Sequence, residues 1–304
     1  GRRPRRSATV AAVHDPGALV SIEKTLAESV SFEGVGLHSG EATGCEVGPA
    51  PPGTGIVFEV GGPAPTRIPA RAQYVSSTRN ATTLARGGAA VATVEHLLAA
   101  LSGLGVDNAR VVMAGPELPI LDGSARPFVE AILAVGFEAE GRPRRWRKLL
   151  REICVEDGDR RIRLLPADAL SIHYVADFPH PCVGRQSIRF DTFSPALFAA
   201  EVAPARTFGF AHEIEALQAA GLGRGGSLEN TVVFDAEGVR NPGGLRFPDE
   251  VVRHKVLDLV GDLALLGAPL CARIEVLKGG HALHRAAVDA LLGDPDACPF
   301  ESAV

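Results

Sequence analysis

Residues 246–267, RFPDEVVRHKVLDLVGDLALLG, predict a long helix with two different faces. At about 100° per residue, Asp258 and Asp262 lie about 40° and about 80° around the helix from His254. The apolar residues fall near the opposite side, which indicates a helix packed on a core. A polar face is most often simply solvated, but such faces usually mix Lys, Arg and Glu. Imidazole beside carboxylate is the combination that a zinc ion takes from helices.

The composition bounds the class of protein. The chain has 304 residues, enough for one large or two ordinary domains with a core that needs no disulfides. Its net charge is −5 and it has no basic stripe interleaved with aromatics, so we expect no nucleic-acid partner. No run approaches about 18 apolar residues, so we expect no stable membrane insertion. Five scattered cysteines without a CxxC motif predict reduced thiols in the cytoplasm and argue against a cysteine-based zinc site.

The chain divides into two similar halves. Segment 138–152 is charged and contains glycine and proline, which favours a boundary between domains spanning residues 20–141 and 142–304. Residues 1–19 are basic and then featureless, and we expect a disordered extension there. Each half runs from strand-like text to a helix, a strand and a further helix. Strands and helices that are mixed but do not strictly alternate favour an α+β fold.

A second helix, within TVEHLLAALSGLGVDN (residues 93–108), offers a partner for the first. Thr93 is positioned to cap its start and Gly103 to end it. A catalytic zinc needs three protein ligands and one open position. His96 is a candidate for the third ligand, and the adjacent Glu95 can accept a proton. By itself the Glu-His pair is a weak signal, because a capped surface histidine is its more common explanation.

Six segments together resemble the zinc-dependent UDP-3-O-acyl-N-acetylglucosamine deacetylases of lipid A biosynthesis. They are TVEHLLAALSGLGVDN, PILDGSARPFVEAI, RTFGF, GGSLENTVVFD, LRFPDEVVRHKVLDLVGDL and KGGHAL, in that order, and matching text begins at GVGLHSG (residues 34–40). The resemblance implies release of acetate from the 2-acetamido group of a UDP-3-O-(3-hydroxyacyl)-N-acetylglucosamine. It also implies two α+β domains of similar topology, with helices sandwiched between β-sheets and the active site at the domain interface.

The resemblance also implies roles for particular residues. The zinc ligands would be His96, His254 and Asp258. Glu95 would act as general base, His281 of KGGHAL would protonate the leaving amine, and Asp262 would orient His281. Thr207 of RTFGF and Lys255 would stabilise the oxyanion. The alternative for Thr207 is a local backbone hydrogen bond, and the alternatives for Lys255 are a solvated lysine and a simple substrate contact. His284 is an additional histidine close to His281.

Substrate binding is the least specific part of the resemblance. A βαβ insert at about residues 209–235 would line a passage for the acyl chain, with Ile214, Leu217 and Ala220 on one helix face. The alternative is that this face only packs on its own domain. The substrate-binding residues expected are His38, Asp122, Phe208, Phe210, Ile214, Leu217 and Gly226. Asp122 can instead cap the helix that starts near Ser124.

The expected partner is the UDP-linked acylated glucosamine, bound by a monomeric protein in the cytoplasm of a Gram-negative bacterium. Two other hypotheses stay open from the sequence. One is a zinc amidase that acts on a different N-acetyl sugar, and the other is a non-catalytic nucleotide-sugar-binding protein. Glu95 and His281 favour an enzyme, because a binding protein needs neither.

Overall fold

The computed structural model describes residues 22–302, so the N-terminal extension expected at residues 1–19 lies outside the described residues. The helices are α1 (Glu95–Gly103), α2 (Arg126–Val135), α3 (Pro195–Leu197), α4 (Ala211–Ala219), α5 (Glu250–Leu263) and α6 (His281–Gly293). Short 3-10 or π turns occur at Ala72–Tyr74, Phe198–Val202 and Ala264–Leu266. No helix within residues 22–302 combines the length and the apolar composition that crossing a membrane requires.

Twenty strands account for most of the remaining regular structure of the described chain. The first half contains β1 (Ile22–Leu26), β2 (Val30–Val35), β3 (Ala42–Gly48), β4 (Ile56–Val60), β5 (Thr66–Pro69), β6 (Val75–Ser77), β7 (Thr83–Arg86), β8 (Ala89–Val91), β9 (Ala109–Met113) and β10 (Phe137–Pro143). The second half contains β11 (Arg145–Lys148), β12 (Ile153–Asp157), β13 (Arg160–Pro166), β14 (Ser171–Phe178), β15 (Gly184–Phe190), β16 (Phe208–Phe210), β17 (Val232–Asp235), β18 (Gly238–Val239), β19 (Leu270–Leu277) and β20 (Phe300–Ser302).

The two halves repeat one sheet topology. The first sheet has the strand order β2-β3-β9-β4-β5, and the second contains the order β12-β13-β19-β14-β15. In each sheet the central strand is β9, which follows α1, or β19, which follows α5. It pairs antiparallel with the preceding hairpin and parallel with the first strand of the next hairpin. This arrangement confirms the α+β fold expected from the sequence.

The helices lie between the two sheets. Helix α2 contacts β2 of the first sheet, and α5 and α6 contact strands of the second sheet. Helices α1 and α5 occupy equivalent positions in the two halves and pack extensively against each other. One continuous apolar core contains residues of both halves, from Leu26 to Cys298. The domain boundary expected at residues 141 and 142 falls inside β10, so the domain limits stay a prediction.

Gly261 sets the distance between α1 and α5. A β-carbon at this position would lie 2.1 Å from the backbone oxygen of Glu95 and 2.8 Å from its carbonyl carbon. Backbone atoms in a helix cannot move aside as the end of a flexible side chain can. The first turn of α1 therefore approaches α5 this closely only because residue 261 has no side chain.

We expect Gly261→Ala to destabilise the fold by about 1–3 kcal/mol, because the added methyl group overpacks the interface between α1 and α5. Urea unfolding measures this change. Gly293→Ala is the matched control, since Gly293 also lies in a helix but its β-carbon would meet no atom within 4 Å. In that open position alanine should stabilise by about 0.4–1 kcal/mol. Equal effects of the two substitutions would contradict the close approach.

Candidate active site

A cavity of about 940 Å³ lies between the two halves. Its wall includes residues of α1, α4, α5, α6 and β16, together with the loop before β3. Thirteen of the fifteen residues singled out from the sequence line it: His38, Glu95, His96, Thr207, Phe208, Phe210, Ile214, Leu217, Gly226, His254, Lys255, Asp258 and His281. Asp122 and Asp262 are not part of the wall. The fold thus brings together residues up to 243 positions apart in the chain.

The polar face of α5 is buried, not solvated. His254, Asp258 and Asp262 are each no more than 3% exposed. The 3.6-residue period places these three side chains on one side of the helix, where α1 and α6 cover them. The solvated face considered for this helix is therefore wrong.

Three buried side chains form a group that could hold a metal ion. His96, His254 and Asp258 each offer a ligand atom, and these atoms lie within 4.8 Å of one another. The Nε2 atom of His254 is 3.4 Å from Asp258 Oδ1, and the Nε2 atom of His96 is 4.0 Å from the same oxygen. The residues come from α1 and α5, so this group exists only where the two helices pack together.

The protonation states of this group suit metal binding. Burial lowers the pKa of His96 to about 3 and also lowers the pKa of His254, so both rings are neutral. The Nδ1–H of His254 donates to the backbone oxygen of Ala205 at 3.0 Å, which leaves a lone pair on Nε2. Burial alone would raise the pKa of Asp258, but Lys255 and the histidines hold it well below its usual range. Two neutral imidazoles and one carboxylate are a ligand set typical of catalytic zinc.

Glu95 lies beside this group, and the pKa of its carboxyl is raised. Its Oε2 accepts a hydrogen bond from the backbone N–H of Thr82 at 3.1 Å, and its Oε1 is 3.7 Å from His281 Nε2. Burial raises the pKa of Glu95 to about 7. A carboxylate with this pKa can accept a proton from water near neutral pH and can also release it.

His281 has the opposite protonation preference. Its Nδ1 is 2.8 Å from Asp262 Oδ2, and Asp262 is 2% exposed. Burial alone would lower the pKa of His281, but Asp262 and Asp258 raise it to about 9. The ring is therefore an imidazolium at neutral pH, and its Nε2 points toward Glu95.

Thr207 and Lys255 occupy different positions relative to the metal-binding group. The backbone N–H of Thr207 donates to the oxygen of Gly123 at 2.7 Å, which fixes this residue in the cavity wall. The ammonium group of Lys255 donates to Asp258 Oδ2 at 2.6 Å, so the solvated lysine considered from the sequence does not describe it. The roles of both residues in stabilising an oxyanion stay predictions.

Asp122 faces protein groups instead of the cavity. Its Oδ1 accepts hydrogen bonds from the backbone N–H and the hydroxyl of Ser124 at 3.0 and 2.7 Å. Its Oδ2 is 2.9 Å from the guanidinium of Arg246. The carboxylate thus stabilises the turn that precedes α2, a role similar to the helix cap considered as the alternative. Its contact with substrate stays a prediction.

The expected cap at the start of α1 is wrong. Thr93 has a φ of 58°, and no side chain caps the first turn of the helix. Its hydroxyl donates instead to Glu117 Oε1 at 2.8 Å. The left-handed conformation of a β-branched residue costs of order 1–3 kcal/mol and persists only where neighbouring contacts impose it. The strain lies two residues before Glu95.

Glu117 was not identified from the sequence, although it connects three parts of the site. Its carboxylate is 3% exposed and accepts hydrogen bonds from the backbone N–H groups of His38 and Ser39, both at 2.9 Å, as well as from Thr93. The ring of His38 accepts a hydrogen bond at Nδ1 from the N–H of Gly223 at 3.3 Å. Burial lowers the pKa of His38, so the neutral ring carries its proton on Nε2, in the cavity wall.

Residues 23–293 match the model of the family LpxC, UDP-3-O-acyl N-acetylglycosamine deacetylase. Three similar curated proteins are named UDP-3-O-acyl-N-acetylglucosamine deacetylase. The protein from Myxococcus xanthus is 47% identical over 274 residues, which cover 90% of this chain and 87% of that protein. The protein from Anaeromyxobacter sp. (strain Fw109-5) is 48% identical over 90% of this chain and 89% of its own length. The protein from Pseudomonas entomophila is 45% identical, with 90% and 91% covered.

If zinc is the ion of this group, we expect His254→Ala to abolish its tight binding, because the change removes one of the two candidate imidazole ligands and leaves Asp258 without its closest histidine. Elemental analysis of the purified protein after dialysis measures zinc per chain. His173→Ala is the control, since His173 lies on β14 outside the cavity wall. Full stoichiometric zinc in His254→Ala would show that the ligand assignment is wrong.

Proposed function

This chain belongs to the UDP-3-O-acyl-N-acetylglucosamine deacetylase family, and we propose how its residues divide the reaction that follows from this membership. The chain is a hydrolase of lipid A biosynthesis. Water cleaves the amide between the acetyl group and the 2-amino group of a UDP-linked, 3-O-acylated glucosamine. Acetate and a free amine are the products. The observation that carries the division of roles is the pairing of Glu95 and His281 beside the metal-binding group.

Zinc is the ion that we propose for His96, His254 and Asp258. The donor chemistry supports it, because neutral imidazole and carboxylate suit zinc and the Ala205 oxygen orients the His254 ring. When bound, zinc supplies Lewis acidity, which polarises the amide carbonyl and lowers the pKa of a water molecule toward about 7.

Glu95 and His281 serve as base and acid in this proposal. Burial raises the pKa of Glu95 to about 7, and the carboxylates around His281 raise its pKa to about 9 despite burial. Between these values Glu95 is a carboxylate and His281 an imidazolium. Glu95 then accepts a proton from the attacking water, and His281 Nε2 donates a proton to the leaving amine. Two titratable groups whose pKa values are separated by their environments support such an assignment.

Thr207 and Lys255 would act on the charge that develops on the amide oxygen. Thr207 is part of the cavity wall, and the ammonium of Lys255 donates a hydrogen bond to Asp258. A donor that is already in place when the oxyanion forms contributes about 3 kcal/mol to lowering the barrier. Because the backbone of Thr207 is bonded to Gly123 and Val232, its hydroxyl needs little reorganisation.

The acyl chain would lie along the unit formed by β16, α4 and β17. Strands β16 and β17 pair in parallel with α4 between them. No residue of α4 is buried, although Ile214 and Leu217 face the cavity. This exposure supports the passage over the alternative in which the face only packs on its own domain. Ala220, expected on the same face, follows the end of α4 and is not part of the wall.

An aromatic cluster extends the apolar wall from α4 toward the metal-binding group. The ring of Phe178 is 5.3 Å from that of Phe208 and 5.7 Å from that of Phe210, and Phe208 is 6.1 Å from the His254 ring. Burial of the apolar surface of a fatty chain on such a wall is favourable, at about 0.8 kcal/mol per methylene. Its position supports a route from the reacting amide to the passage.

The cytoplasmic location in a Gram-negative bacterium and the monomeric state expected from the sequence stay predictions. The five cysteines are all free, which supports a reducing compartment. The remaining alternative is a zinc amidase that acts on an N-acetyl sugar without the acyl chain. The dependence of kcat/KM on the acyl chain distinguishes these two functions.

We expect a bell-shaped pH dependence of kcat/KM, rising through about 7 as Glu95 loses its proton and falling through about 9 as His281 loses its own. The apparent values belong to the coupled groups together. His281→Gln should flatten the basic limb and lower kcat by ~10² or more at unchanged zinc content. His173→Gln, outside the cavity, is the control. An intact basic limb in His281→Gln would remove His281 from the acid role.

We expect a substrate without the 3-O-acyl group to have a kcat/KM lower by roughly 10²–10³-fold or more, because about 3–5 kcal/mol of favourable chain burial, net of ordering costs, is lost. Leu217→Trp should fill the passage and impair the acylated substrate more than the acyl-free one. Leu133→Trp is the matched control, since Leu133 is 49% exposed in α2 and outside the cavity wall. Equal kcat/KM for both substrates in the unaltered protein would contradict the passage.

A further inference from the structure

Asp262 is held by more groups than its expected task requires. Its Oδ2 is 2.8 Å from Nδ1 of His281 and also 2.8 Å from Nδ1 of His284. Its Oδ1 accepts a hydrogen bond from the hydroxyl of Thr82 at 2.7 Å. Of these groups only His281 reaches the cavity wall, and His284 is fully buried. Both oxygens of the carboxylate are therefore fixed from the side away from substrate.

The hydrogen bonds of His284 have a defined direction. Asp262 is ionised, because its bonds to the two histidines outweigh burial and keep its pKa well below the usual range, so it can only accept. His284 must then carry a proton on Nδ1. Burial lowers the pKa of His284, so the ring is neutral and Nε2 has a lone pair. The hydroxyl of Tyr174, 3.2 Å away, donates to that lone pair, since burial raises its pKa and keeps it protonated.

Gly279 provides the space for this arrangement. A β-carbon at residue 279 would lie 2.4 Å from the hydroxyl oxygen of Tyr174 and 2.9 Å from Nε2 of His284. Its lack of a side chain thus makes room for protein atoms behind the site. Gly279 connects β19 to α6, which begins at His281 and also carries His284 three residues later.

We propose that Tyr174, His284 and Thr82 form a hydrogen-bonded brace that fixes Asp262 and thereby holds His281 in the orientation from which it protonates the leaving amine. These three are positioning residues, and the proposal rests on the proposed role of His281 as the acid. The brace joins β14 and α6 to α5 and to the turn before β7. Without the brace, the Asp262 carboxylate can rotate, and the His281 ring is no longer held in a single orientation.

A metal site made of Asp262, His281 and His284 is the competing interpretation. Their ligand atoms also lie within 4.8 Å of one another. Both Nδ1 atoms, however, are at hydrogen-bond distance from one and the same carboxylate oxygen. A nitrogen that donates a proton to that oxygen has no lone pair left for a metal. The geometry therefore favours the brace.

Two substitutions of His284 separate positioning from packing. His284→Leu removes both hydrogen bonds and replaces the ring with an apolar side chain of similar size. His284→Asn loses the bond to Tyr174, but its amide nitrogen can lie near the position of Nδ1 and donate to Asp262. We expect His284→Leu to lower kcat about 10- to 100-fold with KM unchanged. His284→Asn should restore most of kcat. Equal losses in both variants, or no loss in His284→Leu, would overturn the brace.

The same assay includes His281→Gln, so that failure of the acid role is recognised separately. If His281→Gln retains full activity, the proposed function of His281 fails and the brace with it. If His281→Gln is inactive while His284→Leu is fully active, only the brace fails. Zinc per chain should be unchanged in His284→Leu, and loss of an equivalent would support the metal site and overturn the brace.

The histidine tautomer, read in the unaltered enzyme, gives a test that does not depend on the activity of a variant. In the ¹⁵N spectrum of the unaltered enzyme, His284, assigned by the signal missing in His284→Asn, should carry its proton on Nδ1. Tyr174→Phe removes only the hydroxyl and should perturb the Nε2 signal of His284 while its Nδ1 stays protonated. A proton on Nε2 in the unaltered enzyme would overturn the direction of the hydrogen bonds and with it the brace.

Discussion

The close packing of α1 against α5 is the contact on which the site depends. The two helices occupy equivalent positions in the repeated halves, and Gly261 allows the backbone of one to reach the backbone of the other at Glu95. One candidate metal ligand, His96, and the proposed general base, Glu95, lie on α1, and the other two candidate ligands lie on α5. A small displacement of either helix would change the distances between His96, His254 and Asp258 together, since both elements are rigid over this length. The site is therefore a property of the interface between the halves.

This interface buries charge, which is costly unless the charges compensate one another. Glu95, Asp258 and Asp262 are each no more than 3% exposed. Lys255 and the imidazolium of His281 face these carboxylates, and Thr82 donates hydrogen bonds to one oxygen of Glu95 and one of Asp262. Buried ion pairs of this kind contribute little net stability compared with an apolar core of the same size. Their benefit lies in the separated protonation states, which a solvated site would not maintain.

The loop before β3 links the catalytic end of the cavity to the apolar end. Glu117 accepts hydrogen bonds from the backbone of His38 and Ser39 and from the hydroxyl of Thr93. The same loop accepts hydrogen bonds from the backbone N–H groups of residues 223–225, which follow α4. The strained turn before α1 and the wall proposed for the acyl chain are thus anchored to one carboxylate. The hydrogen bonds from residues 223–225 to this loop join the second half to the first. Binding sites most often lie at such boundaries.

The sequence alone determined the elements and the polar face of α5, because helical periodicity and turn residues act locally. It indicated His254 and Asp258 as ligands, since four-residue spacing places them on one side of any helix. The place of His96 beside them came from the family resemblance, because no local pattern relates residues 158 positions apart. The tertiary structure alone decided the burial that raises the pKa of Glu95 and the contacts of Asp262 with α6 and with the turn before β7. It also replaced the expected cap at Thr93 by a bond to Glu117. Such features depend on which surfaces meet, and only packing of the two halves brings those surfaces together.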